Sequence, residues 1–216
     1  NFPRLNFESP GLREYLWANM ERWAKDFGVD GFRCDVSDQV PLDFWEEARA
    51  RLTPIRPDLV ILAEGQRKED QVKAFDINYS FSWLGAVHAV FMKGQPASSL
   101  RALWERMRAE RPRGARFIRY TANHDIVNDM LRAEVVCGER GAAAVAVINF
   151  TLDGVPLLYN GQEIGDTAPQ SIYAPWPVGW AAACLPKPKA KYEFHQRLCQ
   201  LRRDEAVLGK GDVIWL

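Results

Sequence analysis

Between Pro10 and Phe27 the apolar side chains Leu12, Tyr15, Leu16, Trp23 and Phe27 recur at three- and four-residue steps, the period of an amphipathic helix. Ser9 predicts the N-cap, Pro10 the first helical position and Gly28 the stop. The period then changes. "VDGFRCDV" and "LVILAEG" are short continuous apolar runs, and a second amphipathic helix, "PLDFWEEARARL", lies between them. "RKEDQVKAF" predicts a short polar helix, "DINYSF" a weak strand, and "LGAVHAVFM" and "SLRALWERMRAE" two helices. "ARFIRYTANHD" predicts a strand with a polar end, "RGAAAVAVINFTL" a buried helix and "GVPLLYNGQE" a further strand. "KYEFHQRLCQLRRDEAVL" predicts a helix and "GDVIWL" a last strand. The stretch from Ala168 to Ala190, rich in proline, tryptophan and alanine, reads as a long loop, and loops of that length are often functional.

Strand and helix alternate, and the main strands are apolar throughout. Such strands are buried on both faces, as in a parallel sheet covered by helices. The strands starting near Val29, Leu59, Phe117 and Val155 end in "RCD", "AEG", "ANHD" and "YNGQE". In a parallel sheet or barrel the carboxyl ends of the strands share one face, and ligand sites form there. Asp35, Glu64 and Asp125 are therefore expected on one rim, beside Arg33 and His124.

Composition narrows the choices. Basic and acidic residues both number 28, so no basic surplus exists for a polyanion, and no nucleic-acid partner is expected. No apolar run approaches the roughly 18 residues of a membrane span, so no membrane partner is expected. Cys34, Cys137, Cys184 and Cys199 form no C-x-x-C pair, which leaves zinc ligation and a disulfide framework unsupported. Cys34 reads as a buried free thiol. His88 and His195 fall on predicted helices and read as packing or surface residues.

Paired carboxylates at a strand rim suit acid–base and nucleophilic work, because two close carboxyl groups cannot ionise equally. Arg33 lies two residues before Asp35 on the same strand face and would keep it ionised and oriented. Glu64 leaves an apolar strand, where desolvation should favour its protonated form. That division of labour is the retaining glycosidase arrangement, in which Asp125 and His124 would hydrogen-bond sugar hydroxyls. Each residue also has a plain structural reading, and "NHD" alone suits an Asx-turn with a helix cap. A two-metal carboxylate site is a rival, weakened by Arg33 and by a chain holding only three histidines.

"DGFRCD", "AEG" and "TANHD", in this order, resemble three segments of the α-amylase superfamily, glycoside hydrolase family 13. "GVPLLYNGQEIG" resembles its eighth-strand segment and "NFPRLNFESPGLREYL" the approach to its third barrel helix. The resemblance implies an α/β fold of (β/α)8 TIM-barrel type. Residues 1–208 would supply about its last four to five strand–helix units, and residues 209–216 the start of a C-terminal β-domain. It implies Asp35 as nucleophile, Glu64 as general acid/base and Asp125 as transition-state stabiliser, with Arg33, His124, Asn123 and Tyr159 binding substrate. The implied substrate is an α-glucan or maltooligosaccharide, with water or another sugar completing the second step. A transglycosylase and a non-catalytic carbohydrate-binding fragment are the alternatives. No metal ligand and no cofactor are expected from these residues; calcium is possible in the full-length parent. The first three strands of such a barrel would precede Asn1, so a missing N-terminal half-barrel or self-association is the expected partner. Asp38 and Gln39 stand where many members carry a Lys-His pair. Trp176 and Trp180, in the long loop, either stack on sugar rings or pack onto the rim.

Overall fold

Ser9 starts the first helix as its sequence demands, its Oγ accepting the Leu12 N–H at 3.4 Å with Pro10 in the first turn. The structure is a computed structural model that describes residues 3–129, 131–168 and 170–215; Asn1, Phe2, Met130, Pro169 and Leu216 lie outside them. The chain divides into two units, residues 1–79 with 107–116, and residues 80–106 with 117–216.

The first unit runs α1 (Pro10–Asp26), β1 (Gly31–Cys34), α2 (Leu42–Leu52), β2 (Val60–Ala63), α3 (Asp70–Lys73) and β3 (Ile77–Asn78). The strands form one parallel sheet in the order β1-β2-β3, with Gly31 opposite Val60 and Leu62 opposite Ile77. Parallel neighbours need a crossover, and α2 provides the one between β1 and β2. Phe44, Ala48 and Leu52 on the inner face of α2 pack with Cys34, Ile61 and Ala63 into one core. Phe44 also stacks on Trp17 of α1, ring centroids 5.3 Å apart. A Cβ on Gly31 would stand 2.1 Å from the Val60 carbonyl oxygen, so the β1–β2 approach requires glycine there.

The second unit holds α4 (Phe81–Lys93), most of α5 (Ser98–Ala109), β4 (Ile118–Arg119), α6 (His124–Asn128), α7 (Ala133–Thr151), β5 (Val155–Pro156), α8 (Pro186–Asp204) and α9 (Ala206–Lys210). β4 and β5 pair in parallel, Ile118 opposite Val155. Trp83 of α4 is fully buried and donates its indole N–H to Asn149 of α7 at 2.9 Å. Arg119, within β4, is also buried; its guanidinium lies 4.7 Å from the Trp83 ring centroid and donates to Asp153 at 2.8 Å. The ring and the carboxylate offset part of what burying the cation costs.

Two expectations fail. Residues 211–215 form no strand, because a strand needs a neighbour to complete its ladder and none pairs with them among the described residues; Leu216 lies outside these. The long loop also ends early. α8 already begins at Pro186, the proline serving as a helix-start residue rather than a breaker.

Candidate active site

Cys34 pairs opposite Ala63, so the next residues, Asp35 and Glu64, leave the sheet at the same level. Asn78 stands opposite Ala63 on the other side, which sets Tyr79 at that same edge. Arg33 joins the three. Its guanidinium ion-pairs with Asp35, ion-pairs with Glu64 at 2.5 Å and lies 5.6 Å from the Tyr79 ring centroid. Burial by itself would lower the Arg33 pKa, but hydrogen bonds to Asp35 and Tyr79 and the charge of Glu64 outweigh it and raise the value above that of an ordinary guanidinium. The two carboxylates differ in access. The Glu64 side chain is 10% exposed and that of Asp35 74%, so Asp35 faces an incoming molecule while Glu64 is sheltered.

Glu64 leaves its apolar strand into a ring of hydrogen-bond donors. Besides Arg33, the Val36 N–H donates to Glu64 Oε2 at 2.9 Å. Val36 achieves this with φ +44°, a left-handed conformation that is an outlier for a β-branched residue. Ser37 N–H donates to the Glu64 carbonyl at 3.2 Å, and Glu64 N–H to the Cys34 carbonyl at 3.0 Å. Asp38 continues the seam, accepting the Gln66 N–H at 2.9 Å and the Arg67 N–H at 3.4 Å. A Cβ on Gly65 would stand 2.2 Å from Asp38 Oδ1, so glycine is required where the two loops meet. Asp38 therefore holds the loop that follows Glu64. The Cys34 thiol is buried, and desolvation pushes its pKa up to about 12, an inert filler as the apolar run suggested.

In the second unit Asn123 is the N-cap of α6, its side chain accepting the Ile126 N–H at 2.9 Å. The residue expected to bind substrate is 3% exposed and has its amide oxygen committed to that cap. His124 and Asp125 open the helix, His124 Nε2 3.4 Å from Asp125 Oδ1, with side-chain exposures of 41% and 54%. Tyr159 follows β5 and is half-buried. Gln162, which the sequence did not single out, clips the two strand ends: its Nε2 donates to Thr121 Oγ1 at 3.0 Å and its Oε1 accepts the Tyr159 N–H at 3.3 Å. Arg132 was also missed. It is 1% exposed, lies 5.9 Å from the Tyr159 ring centroid, and donates to the carbonyls of Ala168 (3.1 Å) and Asn160 (3.4 Å). His195 packs edge-on against Phe194, with Nδ1 3.0 Å from the Lys191 carbonyl, and burial lowers its pKa; it is a packing residue.

The described residues thus bring Arg33, Asp35 and Glu64 together in the first unit, with Tyr79 added. The second unit places Asn123, His124 and Asp125 at one helix start and Tyr159 beyond the neighbouring strand.

Comparison with known proteins bears on what these residues serve. Residues 1–205 match the family model described as alpha amylase, catalytic domain. A cyclomaltodextrinase from a Bacillus species is 27% identical over 216 residues, covering 97% of this chain and 38% of that protein. Alpha-amylase MalA from Haloarcula japonica is 34% identical over 162 residues, 74% of this chain and 24% of that protein. Among solved structures, the noncanonic maltogenic alpha-amylase AmyB from Thermotoga neapolitana superposes with a TM-score of 0.75 at 26% identity, covering 94% of this chain and 46% of that one. The chain spans less than half the length of these relatives. With the family model matched along almost its whole length, the chain belongs to the α-amylase catalytic-domain family, glycoside hydrolases of TIM-barrel fold.

Proposed function

We propose that the chain carries the catalytic carboxylates of a retaining α-glucan hydrolase, within the last four to five strand–helix units of a (β/α)8 barrel. The observation that carries this reading is one guanidinium, that of Arg33, shared by Asp35 and Glu64 at the ends of adjacent parallel strands. Retaining glycosidases need two neighbouring carboxyl groups, about 5 Å apart, with unlike roles. Asp35, exposed and held by a permanent cation, attacks the anomeric carbon. Its oxygen bonds to that carbon as the glycosidic C–O bond breaks, and the leaving sugar takes a proton from Glu64. A water, or a second sugar, then gives its proton to Glu64 and displaces the Asp35 ester. Asp125 is assigned to stabilise the oxocarbenium-like charge, with His124 and Tyr159 contacting the sugar. Asn123 serves that group by setting the first turn of α6.

The relatives' names, cyclomaltodextrinase and maltogenic amylase, point to cyclic and short linear maltooligosaccharides as the substrate class. The test is to trap the full-length protein with a fluorinated α-glycosyl donor and locate the adduct by peptide mass spectrometry. A glycosyl ester on Asp35 is expected, and an adduct on another residue overturns the assignment.

A further inference from the structure

We propose that Asn78, seated on the buried carboxylate of Asp70, is a positioning residue that holds the loop of Glu64 in place. The residue after Glu64 is Gly65, whose carbonyl oxygen accepts the Asn78 Nδ2–H at 3.1 Å. The same Nδ2 donates to Asp70 Oδ2 at 2.6 Å. Asn78 Oδ1 accepts from Gln71 Nε2 at 2.7 Å, and Gln71 Oε1 in turn accepts the Arg116 N–H at 2.7 Å. Two acceptors at one end of the amide and a donor at the other leave it a single orientation. Asn78 is 1% exposed, so it meets no ligand and acts only through what it holds.

The Glu64 loop has two anchors. Asp38 takes its N–H groups at Gln66 and Arg67, and Asn78 takes its carbonyl at Gly65. A displaced Gly65 displaces the carboxyl group that must meet the leaving oxygen, and small errors of that kind are costly in rate. The second anchor is kept at the expense of stability. Asp70 is fully buried, its Oδ1 makes no hydrogen bond, and Arg67 Nε stands 3.9 Å from it. Desolvation raises its carboxyl pKa, so an amide of the same shape would accept the Asn78 bond at lower cost to the fold. An ionised acceptor, however, grips an amide more firmly than a neutral one. A residue that breaks the rule for buried groups in this way belongs to a site, where precision is favoured over stability.

The assignment rests on the α-glucan hydrolase reading above, with Glu64 as the acid. In the first step a sugar leaving group takes a proton from Glu64 as its C–O bond breaks, whereas fluoride departs without one. The test therefore measures kcat/KM of the full-length protein on maltohexaose and on α-maltosyl fluoride. Asn78→Ala should lower it about ten-fold on maltohexaose and by no more than about two-fold on α-maltosyl fluoride. Asp70→Asn should show the same split, several-fold on maltohexaose, while its urea midpoint rises; it reads the proposal even where Asn78→Ala does not fold. Equal losses on the two substrates, or no loss on maltohexaose, overturn the assignment and leave the network structural. Either result stands with Asp35 still labelled by the fluorinated donor. A protein unlabelled at Asp35 removes the hydrolase reading itself, and this assignment with it.

Discussion

Asp35 and Asp125 both follow the carboxyl end of a parallel strand, yet their settings are unlike. Asp35 shares Arg33 with Glu64, and the turn after it is sewn to the loop after Glu64 by Val36, Ser37 and Asp38. Asp125 sits on the first turn of a five-residue helix, with His124 3.4 Å away as its ion-pair partner. A guanidinium is charged at every working pH and forks to two acceptors, whereas an imidazole is charged only when protonated. The first arrangement fixes carboxylates relative to each other. The second presents two partly exposed polar groups on a capped helix start, joined to each other by a single contact.

The largest test of that contrast is Arg33→Lys. A point charge on a flexible stem cannot hold both carboxylates, and kcat on maltohexaose should fall about 100-fold, while His124→Gln should act mainly through KM. Equal losses of kcat in the two variants would erase the distinction. Asp38→Ala frees the Gln66 and Arg67 N–H groups and should lower kcat about ten-fold, with a displaced limb of the pH–rate profile. Asp38→Asn keeps an acceptor and should recover part of the rate. A profile that does not move in Asp38→Ala would make the seam merely structural.

Asn123→Ala removes the α6 cap and should destabilise the protein by about 1 kcal/mol in urea unfolding. Asn123→Ser restores a cap; if it restores KM as well, Asn123 acts through the helix rather than by touching sugar. The smallest expected effect concerns Asp70, which is fully buried and accepts the Asn78 Nδ2–H at 2.6 Å. Burial raises its carboxyl pKa, so the folded protein holds that proton to higher pH than the unfolded chain. Its contribution to stability is therefore lost as pH rises through the raised value. Asp70→Asn should flatten that part of the profile, a gain of roughly 1 kcal/mol or less at neutral pH, read from urea midpoints against pH.

The rim of the first sheet was legible because its signal is local. Apolar runs ending in charge give strands with polar carboxyl ends, and the parallel register then sets Asp35 level with Glu64. Arg33 was legible for the same reason, through the two-residue alternation of a strand. Tyr79 follows the weakest strand and was passed over, although "NYS" obeys the same rule. Asp38, Gln162 and Arg132 were not legible. The backbone partners of Asp38 and Arg132 and the Thr121 partner of Gln162 lie 28 or more residues away, and such pairings leave no periodic trace in the chain. The misread helix start at Pro186 has another cause: proline signals a loop and a first helical turn equally well, and composition alone cannot separate the two.

Arg132 grips the loop beyond Tyr159 by main-chain oxygens at Asn160 and Ala168. A clamp on carbonyls is blind to side-chain identity. Apart from Asp166, whose carboxylate lies 3.9 Å from the same guanidinium, side chains of this stretch can change without altering those two hydrogen bonds. What the loop presents outward can then change by substitution while its anchoring stays with one buried arginine.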